Sequence, residues 1–220
     1  DLELEKAAYQ AIERLLEEQK KKAAQKALVA YLENYPQGTN ALVAAFQLAE
    51  LYFEEEEWES ALQYYNLVAD QDSNEYTEQT LVRMTQAYLK RDEQNKAVVL
   101  WELLVASAQF EENKRYAQFN LMQFYFKEQD YAKAVSYAET ILGLNALDEQ
   151  IKWDALYILA KAAEMQKNLP KAAIAYAQLE KAPQAERAVE ALFFNAQEKH
   201  KEKAYAASNV VIEKIAQNYA

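Results

Sequence analysis

The 220-residue chain has no cysteine, two glycines, three prolines and one histidine. Without cysteine there are no disulfides, thiolate metal sites or cysteine nucleophiles, and redox compartment is left open. So little glycine and proline cannot supply the turns of an all-β fold or the phosphate-cradling loops of nucleotide enzymes. His200 has no second histidine or cysteine to complete a metal site, so it reads as a surface or groove residue, and no metal or other cofactor is expected. No apolar run approaches the roughly 20 residues that cross a bilayer. The chain opens at Asp1 rather than Met and shows no signal sequence, so it reads as a trimmed piece of a longer protein.

What is present points to helix. Apolar residues make up 51% of the chain, enough for a continuous core. The net charge of −11 repels phosphate backbones over most of the surface, which argues against nucleic acid as a partner. The charge is uneven: residues 1–110 carry 20 acids and 10 bases, whereas 111–220 carry 15 acids and 14 bases. A basic partner would favour the first half.

A small residue recurs at Ala27, Ala61, Ala97, Ala134, Ala172 and Ser208, with gaps of 34, 36, 37, 38 and 36 residues. A period in that range marks stacked helix pairs. In one repeat, Ala45, Leu48, Ala49 and Tyr52 form an amphipathic stripe; Glu54 to Glu57 break it, and Trp58, Ala61, Leu62, Tyr65 and Val68 begin a second. Breaks recur at Asp92 and Glu93, at Gln129 and Asp130, and at Asn168. Asp130 is placed as an N-cap, Pro170 in a first helical turn, and Gly143 as a stop signal. Small residues are needed where two antiparallel helices approach closely, because bulk there overpacks the pair.

These pairs resemble tetratricopeptide repeats, with an aromatic, a leucine and a small residue on the first helix and alanine, aromatic and proline on the second, the terminal proline being absent from the second to fourth repeats. The segments AAFQLAELYFEEEEWESALQYYNLVA (Ala44 to Ala69) and KEQDYAKAVSYAETIL (Lys127 to Leu142) carry the likeness best. It implies an all-α, right-handed α-solenoid of about six antiparallel pairs in one array over 1–220, with repeats at about 3–38, 41–75, 77–111, 114–146, 150–183 and 186–219. Thr85 and Met122 replace the usual small residue of the first helix, so the third and fourth pairs are expected to pack more loosely. The stretch Ala30 to Phe53 is also similar to tetratricopeptide proteins of bacterial cell envelopes, which implies a periplasmic or outer-membrane-associated location, the alternative being cytoplasmic.

In such arrays the first helix of each pair lines a concave groove. Carried over by register, 15, 11 and 8 residues before each small residue, the groove takes Phe46, Glu50 and Phe53; Val82, Gln86 and Leu89; Phe119, Gln123 and Phe126; Tyr157, Lys161 and Glu164; and Phe193, Gln197 and His200. An aromatic ladder with polar residues between suits an extended or helical peptide. The competing reading is that aromatics at helical spacing are core. Many of the 16 tyrosines fall at interhelix positions and are explained by packing. The Glu54 to Glu57 run reads as a solvated turn before it reads as a grip for a basic segment.

Three functions are therefore weighed. The first is a non-catalytic scaffold binding a protein or peptide partner, supported by the lack of any nucleophile, base and orienter set. The second is a spacer or self-assembly domain joined end to end, since solenoids need polar caps and the last helix, Val210 to Tyr219, keeps an apolar stripe at Val211, Ile212 and Ile215. An enzymatic toroid around paired carboxylates has only the supply of acids in its favour.

Overall fold

The computed structural model describes residues 2–219 and contains, among them, twelve α-helices and no strand. They are α1 (Leu2–Glu17), α2 (Lys21–Asn34), α3 (Ala41–Glu54), α4 (Trp58–Ala69), α5 (Thr77–Lys90), α6 (Gln94–Ser107), α7 (Glu111–Lys127), α8 (Tyr131–Leu142), α9 (Glu149–Met165), α10 (Leu169–Leu179), α11 (Ala185–Lys201) and α12 (Tyr205–Tyr219). Consecutive helices pair as antiparallel hairpins. The chain divides into two compact units, residues 1–113 and 114–220, each holding three pairs.

The recurring small residue is the fourth of every even-numbered helix: Ala24, Ala61, Ala97, Ala134, Ala172 and Ser208. The five alanines are fully buried and Ser208 nearly so. Ala27, the sequence choice for the first pair, is only partly buried, and the station belongs to Ala24. With that correction the intervals become 37, 36, 37, 38 and 36 residues. The 34-residue gap disappears, and with it the one interval that matched the usual tetratricopeptide length.

Each hairpin turn is built the same way. Five residues before each small station stands a residue in the left-handed region: Gln19, Glu56, Asp92, Gln129, Lys167 and Lys203, with φ between 56° and 62°. The Glu56 amide donates to the Phe53 carbonyl at 3.1 Å and the Glu57 amide to that of Tyr52 at 2.9 Å. That pair of bonds is a Schellman closure, which satisfies carbonyls left over at a helix end. It recurs after α1, α5, α9 and α11. Glycine is the usual occupant, and none of the six positions has it. Gly143 does end α8, but with φ −79° it uses no glycine-only conformation.

Polar caps start several helices where the sequence puts them. Asp130 accepts from the Lys133 amide, Asn168 from that of Lys171, and Pro170 lies in the first turn of α10. Asp148 adds a cap for α9, accepting from the amides of Gln150 and Ile151.

In the first unit one core joins α1 and α2 to α3 through Tyr9, Ile12, Ala24, Leu28 and Tyr31 with Ala44, Leu48 and Leu51. A second joins α3 and α4 to α5 through Ala49, Tyr65 and Val68 with Met84 and Ala87. The loop entering α3 is held by Glu5, whose carboxylate accepts from the Tyr31 hydroxyl at 2.8 Å and the Thr39 amide at 2.6 Å. Gly38 leaves room there for that carboxylate, since a Cβ would lie 2.7 Å from the Glu5 oxygen and displace it. Burial, and next to it the Glu5 carboxylate, push the Tyr31 hydroxyl up to about 12.

In the second unit Tyr125 of α7 stacks on Tyr137 of α8 at 6.0 Å, matching Tyr52 on Tyr64 at 5.8 Å in the first. Thr85 and Met122, the positions where looser packing is expected, are themselves fully buried. The Thr85 hydroxyl donates to the Val82 carbonyl at 2.7 Å, so its polar group is satisfied.

Candidate functional site

The faces of interest are those of the odd-numbered helices that carry the residues chosen by register. In the first unit these residues are α3's Phe46, Glu50 and Phe53 and α5's Val82, Gln86 and Leu89. Phe46 is 9% exposed; it stacks on Tyr76 at 4.6 Å and belongs to the core. It cannot serve a ligand without leaving that stack. Phe53 is half-buried, edge-on to Trp58 at 5.1 Å, with the Arg83 guanidinium 4.8 Å from its ring centre.

Glu50 is engaged as well. Arg83 donates to it twice, at 3.1 Å from Nε and 3.2 Å from Nη2, a bidentate fork between neighbouring helices. The Tyr65 hydroxyl of α4 donates to the same carboxylate. Burial first, then that carboxylate, raise the Tyr65 pKa far above its ordinary value. Arg83 also donates to Gln86 at 3.4 Å. Val82 and Leu89 remain half-buried and apolar.

In the second unit Phe119 and Phe126 of α7 are half-buried, Gln123 is exposed, and Phe126 meets Tyr131 edge-on at 6.1 Å. Tyr157 of α9 has the Arg187 guanidinium 4.9 Å from its ring centre, and Arg187 pairs with Asp154 at 2.7 Å. Lys161 donates to Glu190 and lies 4.0 Å from Glu164. Burial opposes the Lys161 charge, yet the bond and charge of Glu190 outweigh it and raise its pKa. Tyr176 of α10 donates to Glu164 at 2.6 Å, as Tyr65 does to Glu50. Phe193 of α11 is half exposed, at 50%. Gln197 and His200 are exposed, the latter 4.9 Å edge-on from Tyr205.

The register thus gathers helix-face residues in each unit but mixes two kinds. Phe46 and Glu50 hold the fold, while Val82, Leu89, Phe119, Phe126 and Phe193 keep apolar surface toward solvent. Arg83 and Arg187, missed in the sequence, join Lys161 as the cations that pair with acids at these faces. Their signal was a pairing of opposite charges about one repeat apart, 33 residues for Glu50 and Arg83. The Glu54 to Glu57 turn is partly spent on the fold: Lys21 pairs with Glu54 at 2.6 Å and Gln25 donates to Glu55 at 3.0 Å. Among the described residues no group of three or more histidine, cysteine, aspartate or glutamate side chains is placed to hold a metal, and no helix is long and apolar enough to cross a membrane.

Known proteins bear on the fold alone. No protein-family model matches the chain, and no curated protein matches it. Among solved structures, a tetratricopeptide repeat protein from Parabacteroides merdae aligns at TM-score 0.58 and 16% identity, over 98% of this chain and 80% of that one. A TPR repeats protein from Bacteroides fragilis aligns at TM-score 0.50 and 13% identity, over 96% of this chain and 99% of that one. Both are bacterial. The chain therefore has the all-α helical-repeat fold of tetratricopeptide proteins.

Proposed function

We propose that this protein is a non-catalytic scaffold whose odd-numbered helix faces bind an extended or helical peptide segment of a protein partner. The supporting observation is Phe193, half exposed on α11 in a face whose charges are already matched. Glu50, Asp154, Glu164 and Glu190 each accept a bond from a cation or a tyrosine within their own unit. What such a face offers a newcomer is apolar contact: Phe119, Phe126 and Phe193 in the second unit, Val82 and Leu89 in the first. Aromatic side chains on rigid helices give large contact area at low entropic cost.

The test is selection of a displayed peptide library on the wild-type protein, followed by titration of the enriched peptides against Phe193→Ala and the double variant Phe119→Ala/Phe126→Ala. Affinity reduced about tenfold or more, roughly 1.4 kcal/mol, with an unchanged melting curve supports the reading. Equal affinity for wild type and variants overturns it. An envelope location rests on the likeness of Ala30 to Phe53 and is tested by fractionating cells that express the full-length protein.

A second reading, end-to-end self-assembly, is favoured by a specific observation. The fourth and seventh residues after the small station are Leu28 and Tyr31, Tyr65 and Val68, Ala138 and Ile141, and Tyr176 and Leu179, all at most 2% exposed. Their counterparts on α12 are Ile212, 43% exposed, and the half-buried Ile215. No described residue covers that face. Light scattering over a range of concentrations distinguishes the two readings, because peptide binding alone predicts a monomer.

A further inference from the structure

We propose that the odd-numbered helix faces of the second unit bind a proline-rich segment in the polyproline II conformation, laid across α7, α9 and α11. The inference rests on the scaffold reading above and adds the chemistry of the partner. Two rows of residues carry it. Fifteen places before the small stations Ala134, Ala172 and Ser208 stand Phe119, Tyr157 and Phe193, an aromatic on each first helix of the unit. Eleven places before the same stations, about one helical turn further on, stand Gln123, Lys161 and Gln197, each with side-chain N–H donors. Phe119 and Tyr157 are half-buried and Phe193 is 50% exposed, while Gln123 and Gln197 are exposed.

The spacing of the rows selects the backbone. α9 and α11 lie side by side, since Lys161 donates to Glu190 and Arg187 pairs with Asp154 at 2.7 Å. Packed helices run about 8–10 Å apart, so each row repeats at about that distance. A polyproline II chain has three residues per turn and one edge of it returns every roughly 9.3 Å, so every third residue meets one ring. A β-strand returns to one face every roughly 6.6 Å and falls out of step. An α-helix returns every two turns, at about 10.8 Å, but its carbonyls are spent on its own ladder and would leave the donor row unused. Polyproline II has no internal hydrogen bonds, so its carbonyls stay free for Gln123, Lys161 and Gln197.

Charge and hydrogen bonding select proline. The carboxylates Asp154, Glu164 and Glu190 already accept from Arg187, Tyr176 and Lys161. A charged segment would have to break one of these pairs, and an ordinary backbone would bring N–H groups that compete for the same oxygens. Proline brings neither charge nor N–H and offers only a carbonyl. Its fixed φ is already that of the bound conformation, so little entropy is lost on docking. The first unit lacks both rows. At the same stations there Phe46 is core and Val82 is aliphatic, and Glu50 puts a carboxylate where the second unit has a donor.

Fluorescence polarisation with labelled nonaproline tests this, with a glycine-serine peptide of equal length as the control that does not bind. The expected result is saturable binding of nonaproline to the wild type, weakened about tenfold by Phe193→Ala or Tyr157→Ala and about fivefold by Gln197→Leu. Val82→Ala, in the first unit, should bind as the wild type does. Phe193 is half exposed, so its variant decides the matter even should Tyr157→Ala melt at a lower temperature. Nonaproline that gives no saturable signal, or that binds Phe193→Ala as tightly as wild type, overturns the inference, and an equal loss in Val82→Ala overturns its placement on the second unit. Library-selected peptides that lack proline yet depend on Phe193 would then leave the scaffold reading standing, whereas library peptides indifferent to Phe193→Ala overturn that reading itself.

Discussion

Six hairpin turns hold a residue at positive φ, and none of the six is glycine. A side chain in that region costs roughly 1–2 kcal/mol. Glycine removes the cost but gives the unfolded chain more freedom, which returns about 0.4–1 kcal/mol. Replacing Glu56, Gln129 or Lys167 by glycine should therefore raise stability by about 0.5–1 kcal/mol each. All three side chains are exposed, so little packing is lost. The sites are one to three repeats apart and share no partner, so the effects should add to about 2 kcal/mol in the triple variant. For a chain of this size that corresponds to a rise in Tm of roughly 4–8 °C. The assay is scanning calorimetry of the three single variants and the triple, with Gln129→Ala as the control that keeps a Cβ at the strained position. Alanine should leave Tm nearly unchanged. A triple glycine variant that melts at or below the wild-type temperature refutes the claim that these turns carry left-handed strain.

Two further outcomes follow from the packing and the buried hydroxyls. Ala24→Leu should cost roughly 1–3 kcal/mol by overpacking the first hairpin, whereas Ala27→Leu should change stability by less than about 0.5 kcal/mol; urea titration of the two variants decides between the stations, and the reverse order restores the 34-residue gap. The Tyr65 and Tyr176 hydroxyls have pKa values raised above 10.0 by burial and by Glu50 and Glu164. A raised pKa on an acid means that the folded state favours the proton, so this stability is complete below the unfolded value and is lost as pH rises above it. Each tyrosine then adds a slope of up to about 1.4 kcal/mol per pH unit on the alkaline side. Urea midpoints at about pH 9 and about pH 11 should fall less in Tyr65→Phe/Tyr176→Phe than in wild type, and equal falls would show that these hydroxyls are not the cause.

Much of the architecture was legible in the residues. Periodic apolar stripes mark the helices, because helix formation and the burial of one face are tied to a 3.6-residue repeat. Asp130 and Pro170 mark helix starts because capping and a missing N–H act within a single turn. The first station was misplaced for a related reason: KAAQKAL offers alanines at 23, 24 and 27, and local pattern cannot rank them. Ala24 is selected by contact with residues of α1 and α3, which are distant in sequence.

The candidate faces show the same division more sharply. Phe46 and Phe193 occupy the same register position, yet one is core and the other half exposed. The difference is Tyr76, which arrives from the segment before α5 and stacks on Phe46. Glu50 reads as a free groove acid until Arg83 and Tyr65 converge on it from two other helices. The amino-acid order by itself determined helix, hairpin and repeat, since these depend on neighbours a few residues apart. Only the tertiary structure decided which side chains remain available to a partner, because availability depends on what other helices bring to the same point in space.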